Sequence, residues 1–205
     1  MREKKPFMVE FTGTPEAGKT TAIKVVSNML ENAGHSVMIL EESAEKLPKE
    51  IPKGTFDANL WMHFITQAGV LKATYSQAEI VLIDRGIIDS KFYAWKFFHE
   101  NEASVKEYEY FKKTCLSEVN PDLLLGLIVS PSTALKRRGA EGKIVKEEYI
   151  KKYNKYFCDF FNDTTLRKSL IKTDELQILE MKVFVTNMML KGYFALQIIL
   201  VPYSF

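Results

Sequence analysis

The sequence contains few of the residues that build disulfide frameworks or metal sites. Its 205 residues include two cysteines, Cys115 and Cys158, and three histidines. The cysteines lie far apart in the chain, and the histidines do not have the spacing of metal ligands. These absences exclude a disulfide-rich scaffold and predict no dedicated zinc site.

Neither sign of charge is in excess, and long apolar runs are missing. Lys and Arg number 28 against 26 Asp and Glu, which gives a net charge of +2 and predicts no nucleic-acid polymer as a partner. No stretch reaches the ~20 consecutive apolar residues of a membrane span. The N-terminal segment also lacks the pattern of a signal peptide. We therefore expect a cytoplasmic protein without a membrane span.

The residues that are present form an alternating pattern of strands and helices. Hydrophobic residues make up 46% of the chain, which is enough for a sizeable core. Apolar runs typical of buried strands occupy 7–12, 36–40, 80–83, 123–129 and 169–172. Helical spacing occurs at 19–32, 58–76, 89–118 with a break near Asn101, 132–138, 147–163 and 176–190. Buried strands that alternate with helices form parallel sheets with helices on both faces. The pattern predicts a three-layer α/β/α fold with a five-stranded parallel sheet.

A glycine-rich segment follows the first predicted strand and matches the pattern G-x-x-x-x-G-K-[ST]. Its residues are Gly13, Thr14, Pro15, Glu16, Ala17, Gly18, Lys19 and Thr20, with Thr21 next. The glycines allow backbone N–H groups and the start of the next helix to point at phosphate oxygens. In such loops the lysine bridges the β- and γ-phosphates, and the hydroxyl ligates Mg²⁺. The segment predicts a nucleotide site with Lys19 and Thr20 in these roles.

Asp84 and Arg85 come at the end of the third predicted strand. A carboxylate in this position of a phosphate-loop protein holds Mg²⁺ or one of its waters. The planar, permanently charged arginine side chain suits a phosphate group. Each residue also has a purely structural interpretation, Asp84 as a helix cap and Arg85 as a surface ion pair.

The sequence resembles the thymidylate kinase and deoxynucleoside kinase branch of the P-loop kinases. Three segments carry the resemblance and occur in the order of that family: GTPEAGKTT, DRG and PDLLLGLIVSPSTALKRRG. The resemblance covers residues 7 to about 190. It implies a P-loop nucleoside triphosphate hydrolase fold in a domain of residues 1–190, with a short lid at about 138–146. It also implies ATP and Mg²⁺, a small-molecule acceptor and a homodimer. The apolar tail 191–205 lies outside the resemblance.

The resemblance also assigns roles to single residues. Asp84 would serve the metal or activate the acceptor hydroxyl, and Arg85 would hold phosphate. Arg137 matches the arginine that lies against the adenine or the phosphates. Arg138 falls in the lid, where positive charge stabilises the migrating phosphoryl group. The implied nucleotide contacts outside the phosphate loop are Arg137, Thr173 and Asp174.

Two features of the sequence are candidates for binding the phosphoryl acceptor, a glutamate and one helix face. Deoxynucleoside kinases place a glutamate just past the second strand as general base. Here Glu41 and Glu42 both follow that strand, and we select Glu41. Trp61, Phe64 and Gln67 share one face of a predicted helix, where they would either read a base or pack in the core.

Two residues depart from the thymidylate kinase pattern. Pro15 stands where those enzymes carry an acid, and Glu16 stands where many of them have Arg or Gly. Authentic thymidylate kinase activity is therefore not expected. The predicted function is an ATP- and Mg²⁺-dependent phosphotransferase that acts on a nucleoside, nucleotide or similar small acceptor. The alternatives are a nucleotide-dependent regulatory ATPase or switch, and an interaction module that holds nucleotide structurally.

Overall fold

The computed structural model describes residues 5–116, 120–138 and 146–174. Its elements in chain order are β1 (Phe7–Gly13), α1 (Lys19–Asn32), β2 (Val37–Leu40), a 3₁₀ turn (Ser43–Lys46), α2 (Phe56–Ala73), β3 (Ile80–Asp84), α3 (Ile87–His99), α4 (Val105–Thr114), β4 (Leu123–Ile128), α5 (Pro131–Arg138), α6 (Glu147–Asp163) and β5 (Lys168–Lys172). The predicted helix 176–190, most of the predicted lid and the tail 191–205 lie outside the described residues.

The five strands form one parallel sheet in the order β2-β3-β1-β4-β5. β1 lies in the centre, and all seven of its residues are buried. Because all the strands run in the same direction, their carboxyl ends meet at one edge of the sheet. In open α/β sheets ligands bind at this edge, beside the strand where the connections change direction.

Helices cover both faces of the sheet. On one face Val9 and Phe11 pack against Ile23 and Val26 of α1. On the other face the alternate residues of the strands, such as Met8, pack against α2, α3 and α6. The predicted three-layer α/β/α fold is confirmed. Within the described residues no helix is long and apolar enough to cross a membrane.

Several helix boundaries differ from the sequence prediction. α2 begins at Phe56 rather than at 58, because the Thr55 hydroxyl accepts a hydrogen bond from the Ala58 N–H and caps the helix. Pro131 is the first residue of α5, where its missing N–H costs nothing. The predicted break near Asn101 is confirmed, since α3 ends at His99, α4 begins at Val105 and Asn101 has a left-handed φ of 57°.

Candidate active site

The phosphate loop joins β1 to α1 at the carboxyl edge of the sheet. Gly13 and Gly18 have φ values of 121° and 86°, which glycine adopts without strain. Gly18 precedes α1, and no side chain caps that helix, so its first N–H groups are available to an anion. Glu16 lies at the exposed tip of the loop, so its charge lies outside the cradle. The loop therefore has the geometry of an anion site.

Lys19 is buried beneath the loop. Its Nζ donates to the carbonyl oxygens of Gly13, at 3.2 Å, and Thr14, at 2.9 Å. Burial, together with the positive charge of Arg85, lowers the pKa of Lys19 from 10.5 to about 7. A polyphosphate in the loop would supply the counter-charge that this ammonium needs.

Thr20 and Asp84 meet across the start of α1 and the end of β3. The Thr20 hydroxyl donates to Asp84 Oδ2 at 2.7 Å. The other oxygen, Asp84 Oδ1, is buried and has no hydrogen-bond partner in the structure. A buried carboxylate oxygen without a donor is a suitable ligand for a hard cation, so this pair fits Mg²⁺. No cluster of three or more His, Cys, Asp or Glu side chains that could hold a metal ion occurs among the described residues.

Two residues of α6 hold the phosphate loop from the side. The Tyr153 hydroxyl donates to Gly13 O at 3.1 Å, and the Thr14 hydroxyl donates to Asn154 Oδ1. Asn154 Nδ2 in turn donates to Val129 O at 2.8 Å. The sequence analysis missed both α6 residues, because nothing in the local sequence indicates a contact with a loop about 140 residues earlier.

Arg137 connects the phosphate loop to the loop after β5. Its guanidinium donates to Glu16 O at 3.3 Å and to the hydroxyl of Thr173 at 3.0 Å, and also to Thr173 O. Asp174 Oδ1 accepts from the backbone N–H of Ser130 at 2.9 Å, so it fixes the start of α5. The structure thus brings Arg137, Thr173 and the phosphate loop together as predicted from sequence. Their role in nucleotide binding stays a prediction.

Arg138 and Thr21 are further residues of the predicted nucleotide side. Arg138 is half-buried at the end of α5, and the residues that follow it, 139–145, lie outside the described part of the chain. Thr21 is exposed in the first turn of α1. The predicted roles of both residues stay predictions.

Arg85 lies between two carboxylates at the end of β3. Its backbone has a φ of 58°, the left-handed region that is uncommon for residues other than glycine. Arg85 Nε lies 3.0 Å from Glu42 Oε1, and Nη1 lies 3.4 Å from Asp89 Oδ2. The Nε–H is buried without a hydrogen-bond acceptor, so its contact with Glu42 is an ion pair without hydrogen-bond alignment. The neighbouring carboxylate of Asp89 keeps the pKa of Arg85 well above its ordinary value despite burial.

The two glutamates after β2 lie in different surroundings. Glu41 is exposed to solvent, whereas Glu42 points at Arg85 and lines a cavity of about 280 Å³. Burial raises the pKa of Glu42, Arg85 opposes this change, and the carboxylate of Asp89 adds to it. A carboxylate with a raised pKa is a stronger proton acceptor, so the surroundings of Glu42 suit a general base better than those of Glu41, and the choice between the two stays a prediction.

The cavity, which we call the acceptor pocket, lies beside the phosphate loop. Its walls combine polar and apolar side chains from α2 and α3: Asn59, Met62, Thr66, Ser90, Tyr93 and Phe97. Glu42, Arg85 and Asp89 form its charged end. Asn59 Nδ2 donates to Ser90 O at 3.1 Å, which joins the two helices.

The predicted face of α2 does not line this pocket. Gln67 is buried against α4, where it donates to Thr114 O and accepts from the Leu116 N–H, each at 2.9 Å. Phe64 is 43% exposed, and Trp61 is half-buried outside the pocket. The prediction of core packing is therefore wrong for Phe64, and the base-reading interpretation stays a prediction.

A buried carboxylate in β1 fixes the start of α3. Glu10 accepts hydrogen bonds from the backbone N–H groups of Ile88, at 3.1 Å, and Asp89, at 2.8 Å. A Cβ on Gly86 would lie 2.5 Å from Glu10 Oε2, so any larger residue there would displace the Glu10 carboxylate. Asp89 in turn accepts from the Thr12 hydroxyl at 2.6 Å and pairs with Arg85. The sequence analysis did not single out Glu10.

We expect Glu10 to make the stability of the protein depend on pH. Burial raises its pKa from 4.5 to about 7, so the folded state binds this proton more tightly than the unfolded chain does. The resulting stabilisation is complete below the unfolded pKa and is lost as the pH rises through about 7. When the pH rises from 4.5 to 8, the native protein should therefore lose about 3 kcal/mol of unfolding free energy that Glu10→Gln does not lose. Urea denaturation at both pH values measures this difference, and parallel pH profiles would contradict the assignment.

Known proteins resemble this chain at low sequence identity. No protein-family model matches it. Thymidylate kinases from Thermoanaerobacter sp. (strain X514) and Thermoanaerobacter pseudethanolicus are 23% identical over 168 residues, which cover 70% of this chain and 81% of each relative. A solved deoxyadenosine kinase from M. mycoides with bound dCTP superimposes with a TM-score of 0.71 at 20% identity, covering 90% of this chain and 100% of that one. The same enzyme with bound dATP gives a TM-score of 0.68 at 19% identity, covering 89% and 98%. The fold is that of the P-loop nucleoside and nucleotide kinases.

The predicted resemblance to the thymidylate kinase and deoxynucleoside kinase branch of these kinases is confirmed. The expectation of a nucleoside- or nucleotide-type kinase agrees with all of these relatives. None of them favours the alternative of a regulatory ATPase. The residue roles within the site are not tested by the comparisons.

Proposed function

We propose that this chain is a kinase that transfers the γ-phosphoryl group of ATP to a hydroxyl group of a nucleoside. The observation that carries the proposal is the position of Glu42, a carboxylate with a raised pKa in the acceptor pocket beside the phosphate loop. A hydroxyl acceptor needs a base to take its proton, and Glu42 can do so.

The relatives point to two kinds of acceptor, a monophosphate for thymidylate kinases and a nucleoside for deoxyadenosine kinases. The charges of the pocket favour the nucleoside. Arg85 is already paired with Glu42 and Asp89, so the charged end of the pocket has two carboxylates and one guanidinium. The further cation at the pocket, Lys53, is exposed to solvent. A phosphate dianion would be repelled there, whereas a neutral nucleoside would not.

The proposed transfer takes place between two halves of the site. The N–H groups of the phosphate loop and Lys19 hold the β- and γ-phosphates, and Arg137 with Thr173 borders the nucleotide side. The acceptor oxygen attacks the γ-phosphorus and gives its proton to Glu42, and the bridging oxygen leaves with the β-phosphate. Arg85 holds the Glu42 carboxylate and neutralises charge near the transferring group. Thr20 and Asp84 would hold Mg²⁺, which would supply positive charge to the phosphates of the nucleotide.

Magnesium itself and a cytoplasmic location are parts of this proposal. The buried oxygen of Asp84 supports the metal. The two cysteines, Cys115 and Cys158, are free thiols, which supports a reducing compartment. A homodimer likewise stays a proposal.

An acceptor panel tests the activity. The protein is incubated with γ-labelled ATP, Mg²⁺ and either deoxynucleosides or their monophosphates, with Lys19→Ala as the inactive control. We expect label in nucleoside monophosphate, with a kcat/KM at least about 100-fold above that for any monophosphate acceptor. Transfer to monophosphates alone would contradict the hydroxyl acceptor. Phosphate release that needs no acceptor and is lost in Lys19→Ala would contradict kinase activity.

A further inference from the structure

Two carboxylates occupy the guanidinium of Arg85 at the charged end of the acceptor pocket. Arg85 Nε lies 3.0 Å from Glu42 Oε1, and Nη1 lies 3.5 Å and 3.4 Å from the two carboxylate oxygens of Asp89. Within the described part of the chain, Nη2 is the guanidinium nitrogen that has no protein partner. An arginine normally binds a phosphate through two adjacent nitrogens. Bidentate binding of a phosphate to Arg85 therefore requires one of the carboxylates to move.

Asp89 is the carboxylate that is fixed in place. Its backbone N–H donates to Glu10 Oε1 at 2.8 Å, and its Oδ1 accepts from the Thr12 hydroxyl at 2.6 Å. Both partners belong to β1, the central and fully buried strand. Turning the Asp89 carboxylate away from Arg85 would break a buried hydrogen bond, which is costly. Glu42, in contrast, follows β2 in a loop, and its side chain is 41% exposed.

We propose that Asp89 is a specificity-determining residue, which excludes phosphate-bearing acceptors from the pocket by occupying Arg85. The inference rests on the proposed function, because it concerns which acceptor the same pocket takes. A monophosphate would bring negative charge to a guanidinium that is already neutralised, among side chains that are largely shielded from water. A nucleoside presents a neutral hydroxyl group there, and this group can bind while Asp89 and Arg85 stay paired.

The same arrangement acts on the product of the proposed reaction. Phosphoryl transfer turns the neutral acceptor into a monophosphate, whose negative charge then lies beside Glu42 and Asp89. The product should therefore bind more weakly than the substrate that it came from. Replacing Asp89 should strengthen product inhibition as well as monophosphate binding, and loss of packing alone would produce neither gain.

Calorimetric titration of the full chain measures acceptor binding without turnover. A first titration with Mg²⁺ and AMPPNP, a non-hydrolysable ATP analogue, tests the nucleotide site separately and fills the phosphate loop. Deoxynucleosides and their 5′-monophosphates are then titrated in turn. The native chain should bind its best nucleoside at least about 10-fold more tightly than the matching monophosphate. Asp89→Asn should lower the monophosphate Kd about 10-fold or more, and it should change the nucleoside Kd less than about threefold.

Three further variants control this test. Asp89→Ser removes the same charge through a smaller side chain and should give the same gain. Arg85→Gln in the Asp89→Asn background should abolish the gain, because the released guanidinium is what binds the phosphate. Asp159→Asn is the matched control, since Asp159 is exposed on α6 and its replacement changes the net charge equally. It should leave both Kd values unchanged.

The native chain alone can overturn the proposal, if it binds the monophosphate as tightly as the nucleoside. Folded Asp89→Asn and Asp89→Ser that leave monophosphate binding unchanged would also overturn it. So would a gain of equal size in Asp159→Asn, or a loss of both ligands in the Asp89 variants, which would indicate a structural role only. A gain in the Asp89 variants together with no transfer to any acceptor would support the specificity role and contradict the proposed kinase activity.

Discussion

Replacing Glu42 by Gln should lower kcat for nucleoside phosphorylation about 1000-fold, because the acceptor hydroxyl loses its general base. The amide keeps the size of the side chain but cannot take the proton. The substitution leaves Asp89 as the partner of Arg85, so the part of the site that would bind the ATP phosphates changes little. The KM for ATP should therefore stay within about twofold of the native value. Steady-state kinetics with a saturating nucleoside measure both quantities.

The neighbouring glutamate supplies the control. Glu41 differs from Glu42 by one position in the sequence and is exposed to solvent. Glu41→Gln should keep at least about half of the native kcat, since surface changes away from a site have small effects. If Glu41→Gln loses activity and Glu42→Gln keeps it, the choice made from sequence is correct and the mechanism proposed above is wrong.

Replacing Gly13 by Ala should abolish stable folding or lower the free energy of unfolding by more than about 4 kcal/mol. A Cβ at this position would lie 2.0 Å from the carbonyl oxygen of Leu127, an atom of the central sheet that cannot move away. The φ of 121° is also strained for any residue with a side chain. Two separate costs therefore act at one residue.

Two other glycines separate these costs. Gly34 has a φ of 90°, and no atom lies within 4 Å of the place that a Cβ would occupy, so Gly34→Ala should cost only the backbone strain, about 1 kcal/mol. Gly69 lies in α2 with an ordinary φ and open space, so Gly69→Ala should be neutral or stabilising by about 0.5–1 kcal/mol. Urea denaturation should show that Gly13→Ala is the least stable of the three variants, Gly34→Ala is intermediate and Gly69→Ala is the most stable. Equal stabilities for Gly13→Ala and Gly34→Ala would show that the contact with Leu127 has no effect.

The fold and the phosphate loop could be predicted from sequence because their determinants are local. The loop residues are contiguous, and their function depends on backbone conformation that the glycines permit. The buried strands are apolar runs that alternate with helices, which leaves few possible topologies. All five predicted strands occur in the structure, with ends shifted by one residue at most.

The acceptor side could not be predicted because it depends on directions set by tertiary packing. Glu41 and Glu42 are adjacent and chemically identical, and only the path of the chain after β2 decides which one meets Arg85. Similarly, the spacing of Trp61, Phe64 and Gln67 places them at neighbouring positions around α2. In the structure Gln67 contacts Thr114 and Phe64 is exposed, whereas Asn59 contacts α3 and lines the pocket. Sequence spacing predicts which residues share a helix face, and it does not predict what that face contacts.

The strand order divides the site into two halves with one shared strand. The proposed nucleotide contacts come from the loop after β1 and from the segments that follow β4 and β5, whereas the acceptor pocket is built after β2 and β3. β1 lies between the two groups of strands and leads into the phosphate loop. Mutations that remodel the acceptor pocket therefore need not disturb the nucleotide side. In evolutionary terms, such a scaffold can exchange one acceptor for another while it keeps the same phosphoryl donor.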